Sequence, residues 1–249
     1  MRVFLETQRL VLRWFTEADV DNLVSLDADP DVMRYVTGGV PTSRDEIETE
    51  VLPTFLDYYQ RYEGFGFWAA AKKATGEFLG WFHFRPCPDA GPGAVDLGYR
   101  LRKSAWGKGY ATEGSRALIA RGFTEFGVQR VVAQAMVVNT ASRRVMEKSG
   151  LKLVRTFHQP WPYPREGDQF GDVDYALDKA DWQHDQAGAP ATGQPNATAA
   201  MPSVEPQSSR QTRMGSFPRK GRGRDGRVRA IRPGALSAAT SRAHPVRVR

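Results

Sequence analysis

The sequence predicts an α+β domain built around a mixed, mostly antiparallel sheet, followed by a tail outside the fold. Two observations support this prediction: strand-like and helix-like segments alternate through the first three quarters of the chain, and three strand-like runs follow one another through turn-forming residues. The chain has 249 residues, 41% of them hydrophobic, which is enough for one substantial core. No apolar run of about 18 residues and no signal-peptide pattern is present, so we expect a cytoplasmic protein without a membrane contact.

The positive charge is concentrated at the end of the chain. The formal net charge is +7 overall, but residues 186–249 contain 12 Lys and Arg against two acidic residues, which leaves the preceding 185 residues at −3. The segment begins with a stretch rich in Ala, Pro, Gly and Thr, whose few apolar side chains cannot offset the entropy of ordering it. We therefore predict a folded domain over 1–183 and a disordered tail over 184–249, first Ala/Pro/Gly-rich and then Arg-rich. The tail either has no role or binds nucleic acid or another anionic surface.

The residue pattern in the first half of the domain predicts a strand, two helices and a meander. Apolar and basic residues alternate in Arg9–Trp14, as in a half-buried strand, and apolar residues recur at helical spacing in Thr16–Leu26. Ser43 and Glu46 form a capping box, which predicts a helix running to about Arg61. The three strands of the predicted antiparallel meander are 65–72, 78–85 and 94–101.

The second half predicts two junctions at which a strand leads into a helix. The helices are expected over 110–126 and 140–149, the second ending at Gly150. The strands are expected over 130–138, 151–157 and 171–177.

The first junction has the features of an anion site. Gly107 and Gly109 let the backbone approach a ligand closely, and the free amides of the helix that follows attract negative charge. Arg102, Lys103 and Lys108 add positive charge around them. The segment matches neither a Walker loop nor a dinucleotide fingerprint. Either a phosphate-bearing ligand binds here or the glycines form only a tight turn.

The second junction contains Asn139 three residues before Ser142, and Gly150 ends its helix. Taken alone, Asn139 reads as an N-cap that accepts from the Ser142 amide. Taken together, the two junctions resemble the GNAT superfamily of acyl-CoA N-acyltransferases, and in particular its Rim-type branch, which includes the ribosomal-protein alanine acetyltransferases. The resemblance covers roughly Leu5–Trp182. The family signature Gln/Arg-x-x-Gly-x-Gly/Ala falls on Trp106–Ala111, with Trp106 in place of the usual Gln or Arg.

The resemblance implies a GNAT-type sheet flanked by helices and splayed between its fourth and fifth strands, with Gly98 as the expected site of a bulge. It implies acetyl-CoA as co-substrate and direct attack of an amine on the thioester in a ternary complex, without a metal. Asp96 would take the amine proton, directly or through water, or else pair with an arginine. Ser142 would protonate the departing thiolate, or else only serve the helix start.

The resemblance also implies a set of residues that bind acetyl-CoA. The backbone amides of the glycine loop would hold the pyrophosphate, and amides of the fourth strand would face the acetyl group. Arg143, Arg144 and Lys148 would meet the nucleotide phosphates or form a solvated helix face. The predicted binding residues are Leu97, Tyr99, Leu101, Trp106, Gly107, Lys108, Gly109, Tyr110, Ala111, Thr112, Asn139, Ser142 and Lys148.

Other residue clusters carry weaker signals. His83, His158 and His184 are isolated, so a metal site is not expected, and Cys87 has no local pattern of a nucleophile. The loop Trp161–Pro164 is a candidate rim of an acceptor cleft. So are some members of an otherwise core-forming aromatic cluster: Phe55, Tyr58, Tyr59, Tyr62, Phe65, Phe67 and Trp68.

These observations predict an acetyl-CoA-dependent N-acetyltransferase, a cytoplasmic acyltransferase acting on a protein N-terminus or a small amine. The alternatives are a CoA-binding module without turnover and a nucleic-acid-binding protein that acts through its tail. The expected partners are acetyl-CoA, the amine acceptor and, as a homodimer, a second copy of the chain.

Overall fold

A computed structural model describes residues 1–161 and 164–188 of the chain. Eight strands form one sheet in the order β1-β2-β3-β4-β5-β6-β8-β7, in which β5 and β6 are parallel and all other neighbours are antiparallel. The strands are β1 (Val3–Glu6), β2 (Leu10–Trp14), β3 (Gly66–Lys72), β4 (Phe78–Pro86), β5 (Ala94–Leu101), β6 (Arg130–Met136), β7 (Lys152–Phe157) and β8 (Asp172–Asp178).

Seven α-helical segments accompany the sheet in the described residues. They are α1 (Val20–Asp27), α2 (Pro30–Met33), α3 (Arg44–Glu46), α4 (Leu52–Arg61), α5 (Tyr110–Glu125), α6 (Thr140–Lys148) and α7 (Lys179–Gly188). A π-helical turn over Ile47–Val51 joins α3 to α4, and the Leu52 amide donates to the Ile47 carbonyl, five residues earlier. Pro53 has no amide hydrogen, so the ordinary helical bond to Thr49 cannot form next to this wider turn.

The predicted elements match the structure closely, with three omissions. The seven predicted strands are β2 to β8, and the predicted fourth and fifth strands are β5 and β6. Strand β1 and helices α2 and α7 were not predicted. Helix α7 continues to Gly188, five residues beyond the predicted domain boundary at 183. The predicted tail from residue 189 onward lies outside the described residues.

The core has two layers because side chains alternate across the sheet. On one face, Phe82 of β4 packs with Leu118 and Phe123 of α5. On the other face, Trp81 packs with Phe55 of α4 and with residues of α1. Both faces of the central strands are therefore covered, which explains why β3 and β4 are apolar almost throughout. Among the described helices, none has the length and apolar character needed to cross a membrane.

Candidate active site

The site begins where two parallel strands separate. Strands β5 and β6 are paired only from Ala94 with Arg130 to Asp96 with Val132. Beyond these pairs β5 stays with β4 as far as Leu101, while β6 stays with β8. The sheet is therefore splayed between β5 and β6, and the edge of β5 from Leu97 onward has no β6 residue paired with it. An unpaired strand edge of this kind can form hydrogen bonds with an extended ligand.

Gly98 does not form the predicted bulge. Its register with His83 of β4 is regular, and β4 and β5 pair without a shift along their shared length. The strands separate after Asp96 instead. Gly98 is required for a different reason: a Cβ atom at this position would lie 2.4 Å from Cε1 of His83. The absent side chain lets the imidazole lie directly against β5.

A cavity of about 570 Å³ occupies the opening between the strands. Its volume is within the range of small-molecule and cofactor sites. The predicted binding residues that line it are Leu97, Tyr99, Leu101, Trp106, Gly107, Gly109, Ala111, Thr112, Asn139, Ser142 and Lys148, and the predicted catalytic Asp96 lines it as well. Lys108 and Tyr110 are not among the lining residues, because the Lys108 carbonyl and the Tyr110 ring face Arg9.

The glycine loop lies at one end of this cavity, between β5 and α5. Gly107 and Gly109 have φ angles of 69° and 83°, in the left-handed region that favours glycine, and Gly109 is the N-cap residue of α5. No side chain caps the helix there. Its first amides therefore remain available for an anionic ligand. Trp106 replaces the usual Gln or Arg, and its indole Nε1 donates to the Leu101 carbonyl at 2.8 Å. The indole thus closes the base of the loop.

The second junction places a pair of hydroxyl groups beside the opening. The Asn139 side chain accepts from the Ser142 amide at 3.1 Å, so the N-cap interpretation of Asn139 is confirmed. The phenol oxygen of Tyr99 on β5 lies 3.0 Å from Ser142 Oγ. Burial raises the pKa of Tyr99, so the phenol keeps its proton at neutral pH. The Tyr99 hydroxyl donates to the Ser142 carbonyl at 3.2 Å. The side chain of Tyr99, which the sequence linked only to cofactor binding, therefore places a protonated hydroxyl beside the opening.

The basic side chains of α6 lie in two different places. Arg144 and Lys148 line the cavity. Arg143 does not, because its guanidinium donates to the Val137 carbonyl at 3.0 Å and to the Tyr175 hydroxyl at 3.2 Å. Arg143 therefore anchors the start of α6 to the sheet.

On the other face of β5, Asp96 belongs to a buried charged cluster with His83 and Arg85. The Asp96 carboxylate accepts from Arg85 Nη2 at 2.5 Å, and His83 Nε2 lies 3.1 Å from the same oxygen. Burial raises the pKa of Asp96, but His83 and Arg85 together outweigh this effect and hold the pKa at about 2. Burial, reinforced by Arg85, lowers the pKa of His83. At neutral pH Asp96 is therefore ionised and His83 neutral.

Residues distant in sequence line the rest of the cavity. Tyr35 after α2, Trp81 on β4 and Trp161 before β8 supply aromatic surface, and Arg165 lies close to Trp161. None of the seven residues in the predicted aromatic cluster lines the cavity; they contribute mainly to the core around α4 and β3. Of the predicted rim, Trp161 lines the cavity, whereas Pro162 and Tyr163 lie outside the described residues.

Sequence patterns offered little signal for these distant positions. Tyr35 belongs to a connecting segment without a motif, and His83 is isolated in the sequence; only Trp161 was predicted, as part of the Trp161–Pro164 rim. Within residues 1–161 and 164–188, no group of three or more His, Cys, Asp and Glu side chains is arranged to hold a metal ion.

Comparison with known proteins identifies the family. The model of the acetyltransferase (GNAT) domain matches residues 9–152, more than half of the chain. The chain therefore belongs to the GNAT acetyltransferase family, and the splayed sheet is the fold of that family.

Individual relatives agree with this assignment. The chain is 34% identical over 184 residues to the FsC-acetyl coenzyme A-N(2)-transacetylase of Aspergillus fumigatus, a match that covers 72% of this chain and 77% of the relative. Among solved structures, a GNAT-family acetyltransferase from Bacillus anthracis aligns with a TM-score of 0.57 at 24% identity, covering 72% of this chain and 99% of that chain. The RimL ribosomal L7/L12 alpha-N-protein acetyltransferase in complex with coenzyme A aligns with a TM-score of 0.59 at 22% identity, covering 71% of this chain and 98% of that chain. These two structural likenesses concern the fold.

Proposed function

We propose that this acetyltransferase moves the acetyl group of acetyl-CoA to a primary amine by direct attack of the amine on the thioester in a ternary complex. The observation that carries the proposal is the cavity between β5 and β6, which joins the glycine loop at one end to the Asp96 cluster at the other. A single continuous opening can therefore hold a donor and an acceptor in contact, and such positioning is a large part of catalysis for this kind of transfer.

The residues present fit acetyl-CoA. The amides from Gly107 to the start of α5, with Arg144 and Lys148 of the same cavity lining, suit the pyrophosphate and nucleotide phosphates. The unpaired edge of β5 suits the extended pantetheine arm with its amide groups. Backbone amides near Leu97–Tyr99 are then close to the acetyl oxygen, where a donor stabilises developing negative charge.

The two faces of β5 separate the two proton transfers that the reaction requires. Asp96 and Tyr99 are three residues apart, so their side chains project to opposite faces of the strand. We assign the departing thiolate to the face of Tyr99 and Ser142, whose paired hydroxyls supply its proton. We assign the acceptor amine to the face of Asp96. An ionised carboxylate with a pKa of about 2 attracts and orients an ammonium group but holds a proton weakly. The amine proton therefore passes to water beside Asp96.

The acceptor is proposed as an amine with an apolar or planar neighbouring group, because Tyr35, Trp81 and Trp161 line its side of the cavity. The A. fumigatus relative is named for acetyl transfer to an N(2) atom. The acceptor is either a small amine or a peptide N-terminus. Membership in the Rim-type branch is likewise part of the proposal. A CoA-binding module without turnover is the alternative.

The test is an acetyl-transfer assay over small amines, amino acids and N-terminal peptides, run on the full chain and on a chain ending at Gly188. We expect turnover with at least one amine, at equal rates for both chains, because every cavity-lining residue precedes 173. Binding of acetyl-CoA without turnover on any amine would favour the non-catalytic alternative. Activity lost on truncation would show that residues 189–249 take part in acceptor recruitment.

A further inference from the structure

An arginine outside the cavity holds the glycine loop. Arg9 lies in the turn between β1 and β2, and its Nη1 donates to the Lys108 carbonyl at 2.9 Å. Its guanidinium carbon also lies 4.7 Å from the centre of the Tyr110 ring. Arg9 therefore contacts the residues on either side of Gly109, although it is not itself a lining residue of the cavity.

Glu113, one turn into α5, fixes Arg9 in this position. Its carboxylate accepts from Arg9 Nε at 2.6 Å, from the Arg9 amide at 2.8 Å and from Thr7 Oγ1 at 2.6 Å. The Glu113 side chain is 17% exposed and that of Arg9 is 42% exposed, so the pair is partly open to solvent and its geometry rests on the three bonds together. The three residues Thr7, Arg9 and Glu113 are called the Arg9 clamp below.

The clamp has a geometric consequence for the loop. A trans peptide unit is planar, and its carbonyl and amide hydrogen point in opposite directions. Because the Lys108 carbonyl is directed at Arg9, the Gly109 amide of the same unit is directed away from Arg9. Gly109 lines the cavity, and its φ angle is 83°. Because glycine has no side chain, the backbone on either side of it can rotate over a wide range. The Arg9 bond therefore selects one orientation of a peptide unit that glycine leaves free.

Resting on the proposed function, we infer that Arg9 is a positioning residue for the donor: it holds the Lys108–Gly109 peptide unit in the orientation that binds the pyrophosphate of acetyl-CoA. It acts through the loop and does not touch the ligand. The clamp joins the first hairpin of the chain to the phosphate end of the site.

The test compares two acetyl donors. Acetyl-CoA contains the pyrophosphate and nucleotide, whereas S-acetylpantetheine lacks both and keeps the reacting thioester. In Arg9→Leu we expect kcat/KM with acetyl-CoA to fall about 10-fold, mainly through KM, and the calorimetric affinity for CoA to fall similarly, because misplacing a binding group by about 1 Å has effects of this size or larger. The kcat/KM with S-acetylpantetheine should remain at the parent value.

Arg121→Leu is the matched control, because Arg121 ties the far part of the same helix to the Phe4 carbonyl of β1 and to Glu125. It should leave the ratio of the two donors unchanged. If Arg9→Leu folds poorly, Arg9→Lys is measured in its place. A single ammonium cannot bond Glu113 and the Lys108 carbonyl in the same fork. We therefore expect an intermediate loss of kcat/KM with acetyl-CoA and none with S-acetylpantetheine.

Equal losses with both donors, or no loss with either, would overturn the inference. A parent protein that binds no CoA would instead contradict the proposed function, so the two failures are distinguishable.

Discussion

At the scale of single residues, Ser142 and Tyr99 allow chemistry to be separated from helix capping. In the capping bond the Ser142 backbone amide donates to the Asn139 side-chain oxygen, and the serine hydroxyl is not involved. Ser142→Ala should therefore keep helix α6 and the affinity for acetyl-CoA while lowering kcat roughly 100-fold, the usual scale of a lost proton donor.

Tyr99→Phe should have a similar effect, and the double variant should be little worse than either, because the two hydroxyls lie 3.0 Å apart and act as one unit. The measurements are steady-state kinetics and calorimetric titration with acetyl-CoA. Equal losses of kcat and affinity in Ser142→Ala would limit the serine to a binding or structural role.

The ionisation of Asp96 predicts how kcat/KM depends on pH. Its pKa is about 2, below the ordinary value of 3.8, so the carboxylate is ionised throughout the range in which an amine substrate titrates. The acidic limb of kcat/KM should therefore report deprotonation of the amine. Asp96→Asn should lower the rate by about 10-fold or more without moving that limb.

The control for Asp96→Asn is Asp178→Asn, which breaks an exposed pair with Arg130 and should leave the profile unchanged. The melting temperature of both variants is measured as well, because removal of one member of a buried ion pair destabilises a protein. An acidic limb that disappears in Asp96→Asn would identify Asp96 as the titrating base.

At the scale of elements, local signals predicted most of the fold. Alternation in β2 and the apolar runs of β3 and β4 are visible within a few residues, as are the capping box before α3 and the glycine that ends α6. Strand β1 has four residues without clear alternation, and α2 has four residues, too few to show a helical period. Such short segments acquire their structure from the neighbours they pack against.

The same distinction explains what could be predicted of the site. The glycine loop and the Asn139 cap are contiguous in sequence, so their chemistry is readable there. The acceptor side is assembled by distant contacts, such as the 2.9 Å bond from Arg34 to Glu166, 132 residues away. The Asp96 cluster depends on the register that places Arg85 opposite it on β4. No local pattern encodes these pairings.

At the scale of the whole molecule, the splay divides one sheet into two parts that remain joined by three residue pairs between β5 and β6. Each part is held by its own antiparallel neighbours and by helices. The cavity that results is the central feature of the proposed function. The tail beyond Gly188, with its predicted disorder and its nucleic-acid alternative, lies outside the described residues.

Calorimetric titration of the full chain with acetyl-CoA, compared with two glycine variants, tests directly whether the cavity binds the acetyl donor. Gly109→Val places a β-branched residue at φ 83° in the loop, and Gly127→Val places one at φ 67° beyond the far end of α5, where a Cβ meets no atom within 4 Å. The parent and Gly127→Val should bind acetyl-CoA equally, whereas Gly109→Val should bind about 10-fold more weakly or not at all. Saturating acetyl-CoA at about 100 times Kd should stabilise the parent against unfolding by about 2.7 kcal/mol. No binding heat and an unchanged melting temperature at about 1 mM acetyl-CoA would show that the cavity between β5 and β6 is not an acetyl-CoA site.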